Sequence, residues 1–164
     1  MGRTRAGLSA GLLALLATAC SPQETADTPA EETEAQQVHP VSGLALVTVT
    51  VDTGEGKHTF VSELAQTREE QGQGLMFRTE LGPNEGMLFP NDKPTARSFW
   101  MKNTAIPLDI IFVGLDNRIT NIAAMAQPYS LEQIYSVGSV SAVFEIPGGR
   151  AAELGIEPGD KVTW

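Results

Sequence analysis

The stretch Ser98–Val113, S-F-W-M-K-N-T-A-I-P-L-D-I-I-F-V, gathers the side chains best able to do chemistry. Asp109 stands between Leu108 and Ile110-Ile111, and a carboxylate in apolar surroundings must be paired or shift its pKa. A catalytic or ligand-contacting acid has this setting. So has a structural acid bonded to backbone amides, to Lys102 or to Arg78. By strand alternation Trp100 and Lys102 share one face, while Phe99, Met101 and Asn103 share the other. An exposed tryptophan beside a lysine and an amide would receive a sugar or peptide by stacking and hydrogen bonding. The plainer alternative puts Trp100 in the core, lets Lys102 snorkel and makes Asn103-Thr104 a turn. Arg78, after Leu75-Met76-Phe77, is a partner for an acid or an anchor for an anion.

Other constellations are thinner. Met76, Met87, Met101 and Met125 offer thioethers for Cu(I), although methionine also serves as core filler, and only His39 and His58 could assist. Asp109 with Glu145 would make a glycosidase-type carboxylate pair if they stood about 5–10 Å apart. No G-x-S-x-G nucleophile elbow and no H-E-x-x-H zinc pair occurs. Gly148-Gly149 ahead of Arg150 opens a short helix, an anion nest or simply a strand-to-helix turn. No metal site or cofactor is expected.

The elements that must position these groups are mostly strands. Leu44–Val51 alternates and is β-branched, Asp52–Lys57 turns, and His58–Leu64 returns, which predicts a hairpin. Thr67–Gln73 predicts a short helix with Thr67 as cap and Glu69-Glu70 in its first turn. Met87–Phe89 is a short apolar segment and Asn91–Thr95 a turn. Phe99–Met101 and Leu108–Val113 are strands, as are Ile119–Met125 and Lys161–Trp164. Pro128–Ile134 predicts one helical turn capped by Ser130. Val140–Ile146 alternates, with Val140, Ala142, Phe144 and Ile146 inward and Ser141, Val143 and Glu145 outward. Arg150–Leu154 is a short helix ended by Gly155, and Glu157-Pro158-Gly159-Asp160 a type II turn. Many short strands with two or three short helices predict a mainly β fold, a single sandwich or barrel domain. A regular βαβ repeat is disfavoured, because no connection has a long helical pattern.

The first residues belong to targeting rather than to the fold. Arg3 and Arg5 precede the apolar run Gly7–Ala17, too short for the roughly 20 residues that span a membrane and built like a signal peptide, 1–19. Leu15–Cys20, L-L-A-T-A-C, resembles the lipobox of bacterial lipoproteins, with Ala17 where leucine is commonest. The resemblance implies a lipidated Cys20, and Ser21 after it implies the outer membrane. Cys20 is the only cysteine, so no disulfide framework or catalytic thiol is available. From Ser21 to Ser42 runs a Pro-containing linker with five acids and no lysine or arginine, which cannot repay its ordering entropy. Without Arg3 and Arg5, nine of the 11 basic residues remain against 20 acidic ones, a net of −11. Such a charge excludes nucleic acid as a natural partner.

The domain from 43 to 164 carries G-L-M-F-R at Gly74–Arg78, G-M-L-F at Gly86–Phe89, F-W-M-K-N-T at Phe99–Thr104, I-P-L-D at Ile106–Asp109, V-F-E-I-P-G-G at Val143–Gly149 and Gly159-Asp160. In order and spacing these motifs resemble the DUF192 family of small prokaryotic domains. The resemblance implies a jelly-roll-like β fold and supplies no reaction, substrate or cofactor. The leading expectation is an exported, lipid-anchored, non-enzymatic module on the periplasmic side of the outer membrane. It would bind a small ligand, an envelope polymer or a protein through Arg78, Trp100, Lys102, Asn103 and Asp109. A carboxylate-based glycan hydrolase and a methionine-based copper binder are the competing expectations.

Overall fold

The computed structural model describes residues 37–164. The expected signal peptide, Cys20 and most of the expected linker lie outside them. Nine strands and two short helices follow in the order β1 (Leu46–Asp52), β2 (Lys57–Leu64), α1 (Arg68–Gln73), β3 (Glu85–Thr95), β4 (Ser98–Phe99), β5 (Leu108–Gly114), β6 (Ile119–Ala126), β7 (Ile134–Tyr135), β8 (Val140–Pro147), α2 (Arg150–Glu153) and β9 (Lys161–Thr163). Seven strands form one mixed sheet ordered β6-β5-β8-β3-β2-β1-β9, and β4 pairs with β7 in a small second sheet.

The large sheet curls until its two edges meet at one end. Ile119 N–H donates to Asp160 O at 2.9 Å, Gly159 N–H to Ile119 O at 2.8 Å, and Val162 N–H to Asn117 O at 2.8 Å. Arg118 and Lys161 make an antiparallel bridge there. The result is barrel-like and mainly β, as the alternation indicates.

Each face of the sheet is covered. Inside, Val49, Val51, Phe60, Leu88, Ile111, Val113, Phe144, Ile146 and Val162 pack together, and Phe60 meets Phe144 edge-on at 5.4 Å. On the other face Met87, Phe89, Leu108, Ile110, Phe112 and Val143 are sealed with Leu75 and Met101. Burial of both faces explains why all seven residues of β5 are buried. It also corrects the expectation for β8. Val143 and Glu145, read as outward, are buried, because α1 and the segment around β4 roof the second face.

Several local expectations need correction. Asn91–Thr95 is not a turn; β3 runs on through Pro90 and Pro94 with an irregularity against β8, and its end is an exposed rim that tolerates proline. Strand β4 stops at Phe99 rather than Met101. No helix forms over Pro128–Ile134, because Tyr129 takes φ 61° and Ser130 Oγ accepts from Glu132 N–H in a local turn. One parallel pair exists: β2 and β3 run side by side, and the crossover between them carries only the six-residue α1. The boundary placed at Gly43 also moves, since Val38 already bridges Ala45 and His39 accepts from the Val41 and Ser42 amides.

Candidate functional site

The second face of the sheet carries a cavity of about 350 Å³ under α1. Its roof starts with a well-terminated helix. Thr67 and Glu70 form a reciprocal capping box, Glu70 accepting from the Gln66 and Thr67 amides at 2.7 and 2.8 Å. Those bonds hold the Glu70 carboxyl below its ordinary value. Gln71 then fastens the helix to the sheet, its Nε2 donating to Ala65 O at 3.1 Å and to Pro90 O at 2.9 Å.

The opposite wall is the segment Arg97–Thr104. Phe99 anchors it, stacking edge-on against Phe89 at 5.0 Å and Phe112 at 6.2 Å. Met101 plugs into the same apolar layer, and its N–H donates to Ser130 O at 3.0 Å. With Phe99 and Met101 directed inward, Trp100 and Lys102 point out. The predicted parity therefore holds although the strand ends early. Trp100 is 43% exposed and Lys102 Nζ lies 5.1 Å from its ring centroid, a cation–π pair on the cavity rim. Asn103 is half-buried with φ 55°; its carbonyl accepts from Phe77 N–H at 2.8 Å, and its Nδ2 lies 3.7 Å from Met76 Sδ.

Arg97 and Glu145 complete the cavity, and neither was singled out as a binding residue from sequence. Arg97 lies over the Phe99 ring at 5.4 Å and donates to Asn91 Oδ1 and, at 3.0 Å, to Gln71 Oε1. Both partners are neutral amides. Burial lowers the Arg97 pKa. Glu145 sits at the base, beside Met87 of β3 and Ile110 of β5, and is only 4% exposed. No side chain among the described residues pairs with it, and burial alone pushes its carboxyl up to about 8. In the sequence Glu145 enters only as a possible hydrolytic partner of Asp109, on the outward face of an alternating strand, and nothing in that strand marks it as the base of a cavity.

Asp109 is elsewhere and has another task. Its register partner is Ile146, so its side chain enters the barrel face, opposite to that of Glu145. Fully buried, it accepts from Met125 N–H at 2.8 Å, Gly149 N–H at 2.9 Å and Ala151 N–H at 2.8 Å. It thus fills the nest at Gly149–Ala151 that the sequence offered to an anion, and it offers no atom to a ligand. The Asp109–Glu145 pair is likewise ruled out as a hydrolytic dyad, because the sheet separates the two carboxyls.

Arg78 also leaves the wall. Its Nη2 donates to Glu63 Oε2 at 2.6 Å, and Glu63 is buried, with Ser42 Oγ donating to the same oxygen and His39 Nδ1 at 3.6 Å. Pairing with an acid was one of its two expected roles, but the acid is Glu63 rather than Asp109. The methionines disperse: Met87 and Met101 are sealed in the core, Met76 faces Asn103, and exposed Met125 packs on Gly148. Of the five predicted residues, the fold brings Trp100 and Lys102 together on the cavity rim, seats Asn103 behind them against Met76 and Phe77, and sets Arg78 and Asp109 apart.

The model of the DUF192 family, described as "Uncharacterized ACR", matches residues 49–164. The chain belongs to this family. Two solved structures share the DUF192 fold seen here. One is a protein of unknown function from Novosphingobium aromaticivorans DSM 12444, 59% identical, with a TM-score of 0.78 over 81% of this chain and 95% of that one. The other, from Sinorhizobium meliloti 1021, is described as a candidate transcription regulator and is 36% identical, with a TM-score of 0.71 over 73% of this chain and 94% of that one. No curated protein matches. Family membership therefore brings a fold and no reaction, and the DUF192 motifs F-W-M-K-N-T and V-F-E-I-P-G-G fall on the rim and the base of the cavity.

Proposed function

We propose that this DUF192 domain is a binding module, exported and lipid-anchored through Cys20 on the periplasmic side of the outer membrane. It takes its ligand, a small molecule or the end of an envelope polymer or protein, in the cavity between α1 and Arg97–Thr104. The observation that supports this reading is the exposed Trp100–Lys102 pair at the mouth of an open cavity whose base holds an unpaired acid. An aromatic face beside a cation is a common recognition device, stacking on a ligand while the cation meets its charge. The net charge of −9 argues against nucleic acid as that ligand.

Amide NMR spectra of the purified chain, recorded with mixtures of neutral, anionic and cationic fragments and with soluble cell-wall fragments, test the cavity. Shifts are expected to cluster at Trp100, Lys102, Asn103 and α1. Shifts confined to other surfaces, or none, would reject the cavity as the binding site. For the anchor, a Cys20→Ser variant is expected to leave the membrane fraction. Its retention there would refute lipidation at Cys20.

A further inference from the structure

We infer that the cavity takes a small organic carboxylate with an apolar body, its charge met by Arg97, Arg68 and Lys102 and one oxygen hydrogen-bonded by the Glu145 carboxyl. The inference rests on the cavity being a binding site, as proposed above.

Charge gives the first argument. The chain is acidic overall, yet three cations line this cavity and Glu145 is the one acid among them. None of the three cations forms an ion pair with an acid among the described residues. Arg97 is half-buried, and its bonds go to the amide oxygens of Asn91 and Gln71. A desolvated guanidinium without a counter-charge is expensive, and an anion entering the cavity repays that cost.

Hydrogen bonding gives the second. Glu145 is buried, faces the cavity and has no partner among the described residues. Burial raises its carboxyl to about 8, so at neutral pH it presents an O–H donor. A cationic ligand would meet three like charges on its way in. A carboxylate oxygen suits both the donor and the rim. The charged groups facing Glu145 are all cationic: β3 presents Met87 and Phe89, β5 presents Ile110, α1 presents Arg68, and the opposite wall presents Arg97 and Lys102. No histidine lines the cavity.

Shape gives the third. Leu75, Met76, Phe89, Phe99 and Trp100 supply apolar walls for a hydrocarbon or aromatic body. The volume lies near the lower end of the ~300–1,000 Å³ range of small-molecule sites, which excludes a bulky ligand.

The test uses 4-phenylbutyrate and its neutral amide, titrated into the full chain carrying Trp164→Phe so that fluorescence reports Trp100. At about pH 6.5 the carboxylate is expected to bind at least about tenfold more tightly than the amide, and Lys102→Gln to weaken it severalfold. Raising the pH to about 9.5 ionises Glu145, replaces its donor with a repelling charge and is expected to weaken the carboxylate by about tenfold or more. Glu145→Gln keeps a neutral donor, so it should bind the carboxylate with no such fall. Equal affinity for amide and carboxylate would overturn the anion while leaving a binding cavity in place. No response of Trp100 to the carboxylate would overturn the inference itself, and the fragment spectra judge the cavity independently. A pH-dependent loss that persists in Glu145→Gln would remove Glu145 from the site.

Discussion

Asp109 and Ala151 stand 42 residues apart in the chain and are joined by one hydrogen bond, the Ala151 amide donating to Asp109 Oδ2 at 2.8 Å. With the Met125 and Gly149 amides on the other oxygen, a single carboxylate ties β5, β6 and the start of α2. Removing it leaves three buried donors unpaired, each worth about 1–3 kcal/mol. Asp109→Ala is therefore expected to lose at least about 4 kcal/mol in urea unfolding, and Asp109→Asn about half as much, since one amide oxygen still accepts. A loss below about 1 kcal/mol for the alanine variant would contradict the structural role.

Glu63 and Arg78 form a largely buried ion pair, at 2.6 Å. Cutting one partner strands a charge in the interior, at a cost of about 3–5 kcal/mol, whereas removing both need not. Arg78→Met should destabilise strongly, and Glu63→Gln combined with Arg78→Met should recover part of the loss. A double-mutant cycle in denaturant measures this. Additive losses would mean that the pair contributes nothing as a pair.

Glu145 makes stability depend on pH in an unusual direction. Its folded value, about 8, lies above the ordinary 4.5 of the unfolded chain. Between those two values the folded state keeps a proton that the unfolded state has lost, so stability falls as pH rises, by up to about 1.4 kcal/mol per unit. The contribution is complete below the lower value and gone above the upper one. Glu145→Gln is expected to flatten the profile across this window. If wild type and variant run parallel from acid to alkali, Glu145 is not buried as a neutral acid.

Ser62 is buried on the barrel side of β2, and its hydroxyl finds no partner among the described residues. Its desolvation is uncompensated. Ser62→Ala should leave stability unchanged or raise it by up to about 1 kcal/mol, contrary to most core truncations. Thermal unfolding monitored by circular dichroism would decide, and a clear loss would reveal a bond to water.

The strands were largely legible because period-2 patterning is local. The β1–β2 hairpin, β6 and β9 stand within two residues of their expected limits, and α1 ends as its cap and glycines predict. What was hidden depended on the second face of the sheet. Whether Glu145 meets water or Met87 and Ile110 is decided by what α1 and Phe99 cover, and no pattern within β8 encodes that. The partners of Asp109 were hidden for a related reason. Backbone amides carry no residue identity, so a carboxylate bonded to three of them looks in sequence like one awaiting a ligand. That Trp100 and Lys102 share a face was legible from alternation, but which face meets solvent was not: a core Trp100 fitted the same pattern, and only the seating of Phe99 and Met101 in the apolar layer turns it outward.

Closure of the barrel through Ile119 and Asp160 has a consequence for folding kinetics. Strand β9 also pairs with β1, so Thr50 meets Thr163 across more than a hundred intervening residues. A pairing of such long range must close a long loop before its contacts reward it, which slows folding. Until β9 docks, β1 and β6 each present an unpaired edge.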